Sequence, residues 1–442
     1  MPQHQDPSQA ERLVALLDHL DLAAAHFAGA MPGDLAGLAS AYPERIAGLV
    51  FCVPSRLDPA PFAALAPRLL MIAAAQGPSA GATARALSRL PGARHIVLAG
   101  YEAAGSWADA VADRTEEIAR PMIDFLGAVG GAAAPHLTRG EGSHAGIAYR
   151  IAGKGPALLL LPFFLAPSQW QPALPLLAEH FTVVILGGPH LGGVASLEDR
   201  ASMPTYQAMF RTLVDLMAPR PGAAILEVGC GAGSLVRLLA RRLGPQNPIT
   251  GLDANPYLLH EAAALTAAQG QGGAIRFAHG NAEALPFADG SYDCVFSVTV
   301  LEECDAERAV AEIVRVTRPG GRVGLVVRAL DMRQWWNLDL PEPLRHKVER
   351  PPYSVARNGV ADRSLYPRMR RAGLEDLVCF PSLVTLDRPG GPIWRNREDA
   401  VVSVLDPDEV PVWRRLREAA LSEGLLFMAH PLHCAVGRKP EG

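Results

Sequence analysis

The sequence predicts an α/β protein with two doubly wound sheets, one following the other along the chain. Strand-like apolar runs alternate with helix-like segments over 11–126, and a second series of the same kind begins at Ala223. At 442 residues the chain exceeds one ordinary domain, and a hydrophobic fraction of 49% is enough to build two cores. Glycine-rich turns join strand to helix in both series, as parallel sheets with crossover helices require.

The bulk composition narrows the partners. A net charge of -4 gives no overall attraction to nucleic acid or to an anionic membrane. Lysine occurs only at Lys154, Lys347 and Lys439 against many arginines, a coding bias that points to a bacterial source. The cysteines Cys52, Cys230, Cys294, Cys304, Cys379 and Cys434 show no paired C-x-x-C spacing, which suits reduced and mostly buried thiols. MPQHQDPSQAERL lacks a basic segment followed by an apolar one, and Ala157–Ala166 is broken by Pro162 well short of a membrane span. A cytoplasmic protein without a membrane span is the expectation.

In the first series ERLVALLDHL reads as a helix, and AHFAGA, IAGLVF, RLLMIAAA and HIVLAG as strands. A Gly/Ala-rich linker is expected over 127–145, before GIAYRIAGKGPALLLLPFF and FTVVILGGPHLGG open further strands. Within HFAGAMPGDLA, Gly29 to Gly33 have the outline of a G-x-S-x-G strand-to-helix elbow with Met31 at the serine position. Together these pieces, over 1–200, resemble an α/β-hydrolase in permuted order. The resemblance implies an oxyanion turn at Pro162-Phe163, an acid near Ala75-Gln76-Gly77 and a histidine at Glu102 or Ala103. None of these residues can play its part, so a degenerate, non-catalytic scaffold, lid or dimerisation element is expected. Hydrolysis by another residue set, using Glu102 or His190, stays open as the alternative.

The second series carries the stronger motif. In AILEVGCGAGSLVRLLARRL an apolar strand delivers Glu227, and Gly229, Gly231 and Gly233 form a turn into a helix. PITGLDANP ends a strand at Asp253, 26 residues beyond Glu227, where an acid can accept both hydroxyls of a ribose. IRFAHGNAEALPF then places Asn281-Ala282-Glu283 after a third strand, SYDCVFSVTVLEE supplies a fourth and VTRPGGRVGLVVR a fifth. A nicotinamide-binding unit shares the strand–glycine–helix opening and the later acid, but E-V-G-C-G-A-G and N-A-E-A-L-P-F fit it less well.

This succession resembles the class I S-adenosylmethionine-dependent methyltransferases, in particular the small-molecule branch with quinone and sterol methylases. The resemblance covers 201–442, with inserts near 331–365 and 387–424, and implies a Rossmann-like fold with S-adenosylmethionine as cofactor. It places Glu227 near the amino end of the cofactor and Gly229, Gly231 and Gly233 around its sugar and methionine part. Asp253 would hold the ribose, Ala254 would lie against the adenine, and Asn281 and Ala282 would bond its edge. Asn281 stands where the family usually has Asp, and its amide oxygen can still accept. Ser297 to Thr299 would line the methyl-donor end.

Candidate catalytic groups follow the strands' carboxyl ends, where ligands bind in open α/β sheets. Glu302 is one, with Glu303 beside it as either a second acid or a solvated first-turn residue. Arg328 faces either an anionic substrate or Asp331, and Trp335-Trp336 form either a lid over an apolar acceptor or part of a core. His433 is the other candidate base. His430, His433 and Cys434 share one strand, whose side chains alternate between faces, so no metal site is expected. The expected function is methyl transfer to a small organic acceptor, with no nucleic-acid partner and with the first domain as scaffold, lid or, in a homodimer, dimerisation element. A bifunctional hydrolase/methyltransferase and a non-catalytic cofactor-binding regulator are the alternatives.

Overall fold

The computed structural model describes residues 7–102, 109–135, 139–188, 190–351, 353 and 355–441. Ala103 lies outside them. The chain forms two compact units, Met1–Ser196 with Gly390–Ser403, and Leu197–Pro389 with Val404–Gly442. The division differs from the expected boundary at 200, because Gly390–Ser403 returns to the first unit.

The first unit starts with helix Gln9–His19, held by a capping box: Ser8 Oγ accepts the Glu11 N–H, and Glu11 Oε2 accepts the Ser8 N–H at 2.6 Å. Its Leu13, Leu16 and Leu17 are buried, as their helical spacing demands. The strands are β1 (Ala25–Gly29), β2 (Ile46–Cys52), β3 (Leu69–Gln76), β4 (Arg94–Glu102), β5 (Gly140–His144), β6 (Ile147–Gly153), β7 (Ala157–Leu160) and β8 (Thr182–Gly187). They lie in the order β4-β3-β2-β1-β7-β8-β6-β5, parallel except that β6 runs against both β5 and β8. Central β1, β2 and β7 are buried along their whole length, which explains their unbroken apolar sequences. The linker expected over 127–145 is shorter. Helix Thr115–Val129 runs on until Gly130, whose φ of 63° ends it, and β5 begins at Gly140.

The second unit contains β9 (Ile225–Val228), β10 (Ile249–Asp253), β11 (Ile275–His279), β12 (Tyr292–Val298), β13 (Thr317–Arg328), β14 (Trp335–Trp336), β15 (Glu375–Cys379), β16 (Ser382–Leu386) and β17 (Met428–Arg438). Strands β11-β10-β9-β12-β13 are parallel, and β17 adds antiparallel to β13. Both inserts contribute to structure. From 331–365 come β14 and helix Glu342–Val348, and from 387–424 come helix Pro392–Val402 of the first unit and helix Glu409–Ser422 of the second. Trp336 is buried and meets Trp413 edge to face at 4.9 Å, so it belongs to the core and not to a lid. Trp335 is half exposed beside Phe427. Among the described residues no helix is long and apolar enough to cross a membrane.

Candidate functional site

In the first unit Met31 sits in the turn between β1 and helix Gly33–Ala41. It does not take a positive φ, so the turn lacks the strain that presents a nucleophile at an elbow. Asp34, just inside the helix, is buried and accepts the Gly192 N–H at 3.1 Å. Asp399, on helix Pro392–Val402, lies close against Gly33, and burial pushes its carboxyl up to about 7. Glu102 is exposed at the end of β4.

The second unit gathers most of the expected residues at the carboxyl ends of its parallel strands. Beyond β9, Gly229 (φ 76°) turns the chain; a Cβ there would run into Val300 Cγ2, a contact no side chain tolerates. The N–H groups of Gly229 and Cys230 both donate to the Leu252 carbonyl, at 2.7 and 2.9 Å. This pins the loop to β10. Gly231 donates to Asp253 Oδ2 at 2.8 Å, and Asn255 donates to Asp253 Oδ1 at 2.9 Å. Gly233, also left-handed, then starts helix Ser234–Leu243.

Glu227 is 2% exposed, and its Oε2 has no hydrogen-bond partner among the described residues. Burial, and then the nearby Asp253 carboxylate, push it up to about 8. Burial likewise raises Asp253, although backbone N–H groups of Asn255 and Gly231 oppose the shift. Ala254 is exposed, with His279 against its carbonyl at 3.1 Å. Asn281 is exposed too; its side-chain oxygen accepts the Glu283 N–H at 2.9 Å, while Ala282 is buried. The Ser297 hydroxyl donates to the Val228 carbonyl at 2.8 Å, tying β12 to β9. Thr299 leaves β12 with a φ of 56°, and its Oγ1 accepts from Arg200 at 3.3 Å.

Glu302 is fully buried. Its Oε1 accepts the Arg328 backbone N–H at 2.7 Å, and its Oε2 has no partner among the described residues. Burial raises its pKa against the pull of Arg328. The Arg328 guanidinium pairs with Glu303 at 3.5 Å, not with Asp331. His433 sits opposite Val327 on β17, with both ring nitrogens engaged, by Tyr366 Oη at 2.9 Å and by Asp331 Oδ1 at 2.8 Å. The free base expected there is therefore a linked ring. Among the described residues no three His, Cys, Asp or Glu side chains form a metal cluster.

Sequence reasoning missed Tyr206 on helix Pro204–Met217, 1% exposed, and Arg200, whose guanidinium carbon lies 5.0 Å from the Tyr206 ring centroid. It also missed buried Arg237, which donates to the Ala232 carbonyl within the glycine loop at 2.6 Å and pairs with Glu198. An aromatic on a buried helix face carries no sequence mark of its own.

Residues 226–325 match the family described as "Methyltransferase domain". The ubiquinone/menaquinone biosynthesis C-methyltransferase of Hahella chejuensis is 35% identical over 128 residues, 29% of this chain and 51% of that protein. Nocamycin O-methyltransferase of Saccharothrix syringae is 33% identical over 146 residues, 32% of this chain and 51% of its own length. The chain spans about half the length of these curated relatives. A solved geranyl diphosphate C-methyltransferase from Streptomyces coelicolor covers 52% of this chain and 79% of its own, at 17% identity and a TM-score of 0.33, a distant likeness. The match to a methyltransferase domain thus falls on 226–325, the stretch that holds the glycine loop and Asp253, in a chain that also carries a second α/β unit.

Proposed function

We propose that the second unit transfers a methyl group from S-adenosylmethionine to a small organic acceptor. The observation that carries this reading is the Glu227 carboxylate, buried beside the glycine loop with one oxygen unmatched among the described residues. Two neighbouring buried carboxylates, Glu227 and Asp253, call for a cationic ligand, and the cofactor brings an ammonium and a sulfonium. Each Asp253 oxygen already accepts one backbone N–H and keeps a lone pair for a ribose hydroxyl. Gly229, Gly231 and Gly233 hold the left-handed turn along which the sugar and methionine parts would lie, and exposed Ala254 and Asn281 with Ala282 would meet the adenine.

When bound, the cofactor supplies an activated methyl group on a good leaving group. The chain's own task is then to align the acceptor and hold its proton. Glu302 is the residue we assign to the proton, because His433 is engaged on both nitrogens.

The first unit reads as a degenerate, permuted α/β-hydrolase-like scaffold. Its strand order with one antiparallel strand supports this, as does a relaxed elbow with Met31 in place of a nucleophile. We assign it no catalytic role.

The test is calorimetric titration of the protein with S-adenosylhomocysteine, beside Asp253→Ala. Micromolar binding that the substitution removes supports the reading. A wild-type protein giving neither heat nor a thermal shift would overturn it.

A further inference from the structure

Around Glu302 lies a set of buried polar atoms that the fold leaves unmatched. Arg200 Nε, Tyr206 Oη, Glu302 Oε2 and Arg328 Nε have no hydrogen-bond partner among the described residues. Buried polar groups are nearly always satisfied, so atoms left over at one place mark where a ligand's atoms go. Contacts join these side chains in two sets, and charge acting on Tyr206 links the sets. Arg200 covers the Tyr206 ring at 5.0 Å and reaches Thr299 at the end of β12. Three residues on, Glu302 takes the backbone N–H of Arg328 at the end of β13, and the Arg328 guanidinium carbon lies 6.0 Å from the Tyr353 ring centroid. The Tyr206 phenol in turn feels the charges of Arg200, Glu227, Glu302 and Arg328.

We propose that Tyr206, Glu302 and Arg328 form the acceptor subsite, and that it takes an acidic hydroxyl, a phenol or an enol, and holds it as the oxyanion. This rests on the methyl-transfer reading above. The donor set fits: Arg328 Nε–H and Tyr206 O–H are unmatched donors for an oxygen, and Glu302 Oε2 is an unmatched acceptor for its proton. Charge favours a neutral acceptor over a permanent anion. The acids Glu302 and Glu303 balance the guanidiniums of Arg200 and Arg328, and Glu303 already faces Arg328. A carboxylate or phosphate would bring a charge with no partner left for it. A hydroxyl that gives its proton to Glu302 leaves the total charge unchanged.

The step balances. The acceptor O–H bond breaks, its proton goes to Glu302 Oε2, and its electron pair stays on the oxygen facing Arg328 and Tyr206. That pair, or the carbon conjugated with it, forms the new bond to the methyl carbon as the carbon–sulfur bond breaks and its electrons stay on sulfur. A carbon acceptor passes through the ketone, which loses its carbon proton to solvent and takes a proton from solvent on oxygen, restoring the enol or phenol. Glu302 returns its proton to solvent.

The experiment uses the full chain saturated with S-adenosylhomocysteine and two probes, para-nitrophenol and para-nitroanisole, at a pH where the free phenol is half ionised. The wild type is expected to bind the phenol at least about tenfold more tightly than the ether, with its absorbance shifted to the phenolate band. Arg328→Gln is expected to remove both the preference and the shift, and Tyr206→Phe to weaken the phenol severalfold. S-adenosylhomocysteine affinity in each variant reports that the fold is intact. Equal binding of phenol and ether, no phenol binding by the wild type, or a preference untouched by both variants would overturn the subsite. Loss of S-adenosylhomocysteine binding by the wild type would instead overturn the cofactor reading.

Discussion

Gly231 donates its backbone N–H to the Asp253 carboxylate at 2.8 Å, so the residue assigned to the ribose also holds the glycine loop in place. Asp253→Ala removes both roles together. Asp253→Asn separates them in part: the amide oxygen can keep the Gly231 bond, while its NH2 replaces the oxygen that accepts from Asn255 and would accept from the ribose. Asp253→Asn is therefore expected to keep the wild-type melting temperature within a few degrees and weaken S-adenosylhomocysteine by about tenfold, and Asp253→Ala to lower both. Calorimetry and thermal melts on the two variants check this.

Gly229→Ala addresses the loop by shape alone. The new methyl would meet Val300 at an impossible distance, on a residue whose φ of 76° already disfavours a side chain. A loss of about 3 kcal/mol is expected from overpacking and backbone strain combined, read from urea unfolding of the purified variant. A variant as stable as wild type would mean the loop and Val300 move apart freely.

Glu227 would give the proposed cofactor site a pH dependence. Its carboxyl titrates at about 8 in the free protein, so below that pH it is protonated, and an arriving ammonium or sulfonium favours its ionised form. Binding then releases a proton, and affinity rises with pH until about 8 and levels off above it. Calorimetry in buffers of different ionisation enthalpy should detect that proton, and Glu227→Gln should abolish it. The sign for stability is opposite. A raised folded-state pKa means the folded state holds the proton more tightly, so Glu227's contribution is full below its unfolded value and is lost as pH rises through about 8. The unliganded protein should melt lower at alkaline pH, and Glu227→Gln should flatten that slope.

Tyr366→Phe tests whether the His433 linkage is structural. Removing the hydroxyl leaves His433 Nδ1 buried without its partner, which costs about 1–3 kcal/mol of stability. S-adenosylhomocysteine affinity should be unchanged. A large loss of affinity with little loss of stability would place His433 in the ligand site.

Much of this site was legible because its parts are local in sequence. Glu227, Gly229, Gly231 and Gly233 form one strand-to-loop turn, and their spacing states their geometry directly. Asp253 follows at the next strand's end, where the alternation of elements alone determines its position. The Arg328 pairing was not legible. Both Glu303 and Asp331 were available as partners, and only the adjacency of β12 and β13 puts Glu303 in reach. Tyr206 and Arg200 were missed for a similar reason: their roles depend on how one helix face packs, which an apolar periodicity does not record. Trp336 stayed open between lid and core because aromatic pairs serve both equally well, and burial against Trp413 decides between them only in three dimensions.

The first compact unit includes helix Pro392–Val402, which the chain reaches only after the last parallel strand of the second sheet. Ile393, Trp394, Ala400 and Val401 of that helix are buried. During synthesis the first unit must therefore wait for a piece made long after Ser196, roughly 10–40 s later at ordinary ribosomal speeds. An expression fragment ending near residue 200 would omit that piece altogether. The two halves are thus not interchangeable modules, because the gene stores part of the first inside the second.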